Sequence, residues 1–141
     1  MFKICKENGR IKLNFLGLKI VFKNPLINQL EDCCCIENLS ELKKINTNFP
    51  HPIGIVISKS ASFGNNCTVF QNVTIGKQNP DDNKAPAIGN NVKIYANSVD
   101  VGDIKIGNNV IIGANSFVNK DIEDGAICVG NPAKIIKYQE L

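Results

Sequence analysis

Apolar residues recur every sixth position through most of the chain. From Ile88 the sequence divides into IGNNVK, IYANSV, DVGDIK, IGNNVI, IGANSF, VNKDIE and DGAICV, and the same beat runs back through VFQNVT, FGNNCT, ISKSAS and HPIGIV. Each block opens on an aliphatic residue or its stand-in, has a small or aliphatic fifth residue, and carries Gly or Asn between. Such a repeat predicts a parallel β-helix in which each hexad is one short strand plus a corner, and three hexads complete a coil. The corners need residues that tolerate positive φ. Gly does so without steric cost, and Asn better than most. The aliphatic positions stack into a narrow core, and Asn side chains one coil apart are placed to hydrogen-bond in ladders. Spacing alone does not give the handedness of the coil; the general rule for crossovers would make it right-handed.

The beat is interrupted once. Gly-Asn-Asn occurs at 64–66, 89–91 and 107–109. The last two triplets are 18 residues apart, one coil; the first two are 25 apart, so seven residues are inserted. The segment KQNPDDNKAPA after Ile75-Gly76 is polar, holds two prolines and reads as a loop over 77–87. Upstream the period changes. Ile11, Leu13 and Phe15, then Leu18, Ile20 and Phe22, alternate with polar residues around Gly17, which predicts a hairpin over 11–22 closed by Asn24-Pro25. Residues 26–44 read as mixed or helical, with a short amphipathic turn after Asn38 or Ser40. The expected organisation is an N-terminal hairpin and helical segment over 1–44, the β-helix over 45–130 and a tail over 131–141.

At 141 residues the chain is long enough for one ordinary domain. No apolar run reaches the roughly 20 residues of a membrane span, and polar residues interrupt the basic N-terminus too often for a signal peptide. The net charge of +3 is unevenly spread: residues 1–23 hold six basic residues against Glu7 alone. This end is either a solvated face or a surface that approaches an anionic membrane or glycan. No nucleic-acid motif accompanies it. Of the six cysteines, Cys33, Cys34 and Cys35 are consecutive, and Cys67 and Cys128 fall on the fifth position of a hexad, where a small inward residue fits. They read as free thiols in a reducing, cytoplasmic compartment rather than a disulfide framework. There is no CxxC and one histidine, His51, so no metal is expected.

In strict register His51 falls on the first, inward position of its hexad, where it would be a core residue. Pro50 and Pro52 beside it suggest a distorted corner that turns it outward. The segment HPIGIVIS at 51–58, QNVTIG at 71–76, the looped corner, APAIG at 85–89, IGANSFVNKDI at 112–122 and GNPAKII at 130–136 resemble the hexapeptide-repeat acyltransferases, most closely the serine acetyltransferase branch. The resemblance covers about residues 45–137. It implies a left-handed β-helix, a homotrimer with active sites between neighbouring prisms, and acetyl-CoA as co-substrate. It also implies that His51 is the catalytic base. A hydroxyl is a poor nucleophile at neutral pH, and imidazole can take its proton. Gly76, Ala96 and Ala114 match family positions along which the pantetheine arm lies, although corners use small residues in any case. Lys120 and Lys134 are candidates for the CoA phosphates. Gln71 and Asn72 are candidates for holding the acceptor. No residue aligns with the carboxylate that orients the base; Glu37 and Glu41 are nearest in sequence.

Three departures from the branch bear on the acceptor. Only about 44 residues precede the β-helix, where the serine enzymes have a long helical region. Pro50 stands where an Asp adjoins the catalytic His, and Lys84-Ala85 where an Arg-His pair helps hold serine. The expected activity is therefore transfer of an acetyl group to a different hydroxyl, with a carbohydrate of a surface glycan or its precursor as acceptor. The competing readings are N-acetylation of a nucleotide-linked amino sugar, serine O-acetylation, and a trimeric scaffold without activity.

Overall fold

The structure, a computed structural model, describes residues 3–7, 10–15, 18–23, 35–36 and 39–140. Near the N-terminus β1 (Lys3–Glu7), β2 (Arg10–Phe15) and β3 (Leu18–Lys23) form an antiparallel meander in the order β1-β2-β3. β2 and β3 are the two arms of the hairpin, with Phe15 opposite Leu18; β1 was not expected. The turn at Gly17, the Asn24-Pro25 stop, Cys33, Cys34, Glu37 and Asn38 lie outside the described residues. A short helix α1 (Leu39–Lys44) leads into the coil and buries Leu42 against its end.

The remainder is a three-faced prism. The first face stacks β7 (Thr68–Val69), β10 (Lys93–Ile94), β13 (Ile111–Ile112) and β15 (Ala126–Val129) in parallel, and β16 (Lys134–Tyr138) closes it antiparallel. The second holds β4 (Cys35–Ile36), β5 (Val56–Ile57), β8 (Thr74–Gly76), β11 (Val99–Val101) and β14 (Phe117–Val118). The third holds β6 (Ser62–Phe63), β9 (Ala87–Ile88) and β12 (Lys105–Ile106). Parallel stacking thus starts at Cys35, ahead of the expected boundary at Ile45. Strands of two to four residues suffice because each hexad contributes only two inward side chains. Ile55, Ile57, Val69, Val73, Ile75, Val92, Ile94, Val110 and Ile112 are among those that fill the interior and are fully buried.

Two of the three corners are built from stacked asparagines. Asn72, Asn97 and Asn115 (φ 56 to 61°) line the first-to-second corner, and Asn66, Asn91 and Asn109 (φ 55 to 59°) the third-to-first. Asn72 Nδ2 donates to Asn97 Oδ1 at 3.1 Å and Asn97 Nδ2 to Asn115 Oδ1 at 3.2 Å. Beside the other column a second ladder runs Asn65, Asn90, Asn108, Asp124, each side-chain oxygen accepting from the backbone N–H of the coil before. Gly89 in this corner is obligatory for space: a Cβ there would lie 2.8 Å from Gly107 backbone.

The register departs from strict hexads in three places. The second-to-third corner carries the insertion, since it lies between Ile75 and Ile88, the inward residues of successive strands. The same corner is shortened in the last coil, where Ile106 pairs with Ile122 and Ile112 with Cys128, 16 residues apart instead of 18. Cys128 therefore occupies a first inward position, not a fifth, and Asp124 is an exposed corner residue. The third departure is at His51. Phe49 is the inward residue of its strand, and Asn48 bridges Thr68. The next first-position inward residue is Ile57, eight residues on, where the coil below spans six from Val69 to Ile75.

Candidate active site

Those two extra residues decide the environment of His51. Phe49 takes the inward place that strict spacing assigns to the histidine, Pro52 is buried, and His51 is exposed. The reading of His51 as a core residue is thereby overturned: a bulge at the corner lifts it out of register. Gly54 (φ 64°) completes the bulge, and a Cβ there would meet Asn72 Oδ1 at 2.3 Å, so the bulge sits directly on the asparagine column.

The imidazole faces an aromatic neighbour. The ring centroids of His51 and Phe70 are 6.2 Å apart at 47°, and Phe70 stacks on Tyr95 at 4.8 Å and 10°. Gln71 follows Phe70 and is half-buried; its Oε1 is buried without a hydrogen-bond partner. Asn72, by contrast, is committed to the corner by its positive φ and its ladder bond. Ala96 and Ala114 hold the same corner two and three coils from His51. At about 4.8 Å per coil they lie roughly 10 and 14 Å along the prism edge. The structure therefore brings His51, Gln71, Asn72, Ala96 and Ala114 to one edge.

Gly76 is elsewhere, on the outer side of the second face. It lines a groove of about 600 Å³ together with Cys35, Val56, Ser58, Lys59, Thr74, Lys77, Gln78 and Pro80. A Cβ on Gly76 would meet nothing nearer than Ser58 Cβ at 3.9 Å, so local packing does not require glycine there. The inserted loop forms one wall of the groove. Lys77 Nζ donates to Asn83 Oδ1 at 3.0 Å within the loop, and Lys84 pairs with Asp103 at 2.8 Å where the loop returns. Lys120 is exposed on the shortened second-to-third corner, away from the His51 corner, and Lys134 is exposed on β16 opposite Val129. Glu41 pairs with Lys44 at 3.1 Å on the surface of α1.

Two features of this region escaped the sequence reading. The Phe70–Tyr95 stack was hidden because the insertion puts the two residues 25 apart. Asp100 opens a hexad in the place of an aliphatic residue; it is fully buried between Ile75 and Val118, and neither carboxyl oxygen has a partner among the described residues. Burial pushes its pKa up to about 8, and burial likewise pushes the Cys128 thiol up to about 11. Cys67 is buried and burial raises its pKa too, which favours the protonated thiol. Among the described residues no group of three or more His, Cys, Asp or Glu is placed to hold a metal, and no helix is long and apolar enough to cross a membrane.

Comparison with known proteins finds the same repeat elsewhere. Residues 86–120 match the bacterial transferase hexapeptide (six repeats) model. The chain is 41% identical over 90 residues to a serine acetyltransferase of Staphylococcus epidermidis, covering 63% of this chain and 42% of that protein. It is 40% identical over 85 residues to the putative colanic acid biosynthesis acetyltransferase WcaB of Escherichia coli, covering 60% and 52%. A solved serine acetyltransferase in complex with CoA superposes with a TM-score of 0.60 at 31% identity, over 64% of this chain and 37% of that one. The chain thus spans about half or less of the length of these relatives. The coil is left-handed, as the resemblance implied and against the general crossover rule. With the repeat, the coil and these relatives in agreement, the chain carries the hexapeptide transferase repeat and is similar over its coil to the serine acetyltransferase-like branch of such enzymes.

Proposed function

We infer that the chain is an acetyl-CoA-dependent O-acetyltransferase whose acceptor is a carbohydrate hydroxyl, with His51 as general base. The observation that carries this reading is the bulge that turns the only histidine outward, at the head of an edge lined by Ala96 and Ala114. The acceptor hydroxyl donates its hydrogen bond to a free imidazole nitrogen. As the oxygen attacks the thioester carbonyl, the imidazole takes the proton. The C–S bond then breaks, and the protonated imidazole returns the proton to the departing CoA sulfur. Transfer is direct, in a ternary complex, and the buried Cys67 and Cys128 take no part. Small side chains at Ala96 and Ala114 leave the edge open to a pantetheine arm. Gly76, Lys120 and Lys134 complete the proposed donor contacts, which a homotrimer would bring together across neighbouring prisms. Gln71 is the better acceptor contact of its pair, because Asn72 is committed to the corner.

Carbohydrate is favoured over serine by the loop. Lys84 is engaged with Asp103 and Ala85 is half-buried, so the end of the loop offers no pair of groups to an amino acid. The similarity to WcaB supports the same choice. Serine O-acetylation is the second reading, supported by the similarity to serine acetyltransferases over the coil. The test is thiol release from acetyl-CoA by the purified full chain, with product mass, across neutral and acidic saccharides, nucleotide-linked amino sugars and serine. An O-acetylated saccharide is expected. Acetylation confined to amino sugars or to serine overturns the carbohydrate-hydroxyl reading, and no thiol release with any acceptor favours the scaffold.

A further inference from the structure

A catalytic imidazole works only if it is held, and a third group usually orients it through a hydrogen bond to the second ring nitrogen. Among the described residues the His51 ring has no hydrogen-bond partner, and Glu41 is occupied by Lys44. An exposed side chain on a bulge would ordinarily change rotamer in picoseconds to nanoseconds. What the structure supplies instead is Phe70, tilted 47° to the imidazole at a centroid distance of 6.2 Å, inside the roughly 4.5–7 Å range of favourable aromatic pairs.

Phe70 is well fixed for such a task. Its N–H donates to Ile94 O at 3.0 Å, so its backbone belongs to the coil ladder rather than to a loop. Tyr95 stacks on its ring at 4.8 Å and 10°, and the Tyr95 N–H donates in turn to Ile112 O at 2.9 Å. The two rings stack because Val69 pairs with Ile94, which carries the next residue of each strand into line. The insertion leaves from the second-to-third corner, so it does not disturb this column.

We propose that Phe70, braced by Tyr95, is the positioning residue of His51, holding the imidazole by ring contact where a carboxylate would otherwise hold it by hydrogen bond. The proposal rests on His51 being the base, but its test does not. The chain has one histidine, so every signal from an isotope-labelled imidazole reports His51. Relaxation of the imidazole C–H groups in the full chain should give an order parameter near the roughly 0.85 of rigid structure. Phe70→Ala should bring it below about 0.6, Tyr95→Leu should give an intermediate value, and Phe70→Tyr should restore it. Phe70 lies outside the core, so the amide spectrum of the coil should persist; if Phe70→Ala does not fold, Phe70→Leu and Tyr95→Leu carry the comparison. An imidazole equally ordered with and without the ring at 70, or mobile in the unmodified protein, overturns the proposal. If order falls in Phe70→Ala while His51→Ala retains transferase activity, the ring contact stands and the assignment of His51 as base fails.

Discussion

His51 and Asp100 are the two residues whose chemistry depends most on a single backbone position. Two extra residues before Ile55 move His51 from the interior to the edge, and with it the group able to take a proton from an acceptor. Replacing it by alanine should lower acetyl transfer by about 10²–10⁴-fold while leaving the coil intact. Near-normal turnover in that variant, measured by thiol release, would remove the base from the mechanism. Asp100 is the opposite case, a carboxyl held inside. Its pKa is raised from 3.8 to about 8 by burial, so the folded state keeps a proton that the unfolded chain gives up. Its favourable contribution is therefore fully present below pH 3.8, declines as pH rises, and is lost above about 8. At 1.36 kcal/mol per unit the shift sets an upper bound of several kcal/mol. Cys128 is the titratable group whose own pKa Asp100 raises, and it stays protonated over that window. Unfolding midpoints of Asp100→Asn should be flatter between pH 5 and 8 than those of the unmodified chain; parallel curves would mean that the carboxyl is not buried.

At the scale of elements, the corners hold the coil in register. Each stacked Asn both adopts the left-handed conformation and bridges to the next coil. Alanine at such a position keeps neither property. Asn97→Ala should cost about 1–2 kcal/mol from the backbone conformation alone, with more from the lost ladder. Asn97→Gly should recover the conformational part while still losing the bond to Asn115. Urea midpoints at fixed protein concentration separate the two, and an alanine variant as stable as the glycine one would remove the conformational argument. The second-to-third corner has no such column, only Gly102 at positive φ (98°). That is the corner where the chain adds seven residues in one coil and omits two in another. Where no ladder ties adjacent turns together, length is free to vary.

For the whole molecule, large apolar side chains stand on the outer sides of the prism. Ile53, Val56, Tyr95 and Val129 are all at least 36% exposed. Sedimentation of the purified chain should give a trimer, in which these side chains are covered and one prism's His51 edge meets a neighbour's groove. A monomer at micromolar concentration would leave the proposed donor site incomplete. The hairpin pairing of β2 with β3 and the helix at Leu39–Lys44 were both foreshadowed by periodicity. Strand β1 was not, and neither was the early start of the coil at Cys35, where a two-residue strand leaves no periodic trace.

The sequence by itself determined the class of fold and the composition of its corners. A six-residue period with Gly and Asn at fixed offsets can satisfy its apolar side chains in few ways other than a narrow stacked coil. It also located the seven-residue insertion, because identical Gly-Asn-Asn triplets served as a ruler. It did not locate the two-residue bulge at His51 or the two-residue deletion after Val118, since neither is flanked by such markers. Tertiary structure decided those. Parallel pairing forces each strand to align with the one above, and residues that cannot align are expelled at the corners. Expulsion turned His51 outward and set Phe70 against it over Tyr95. The same pairing drew Asp100 inward, because its place between Ile75 and Val118 left the carboxyl nowhere else to go.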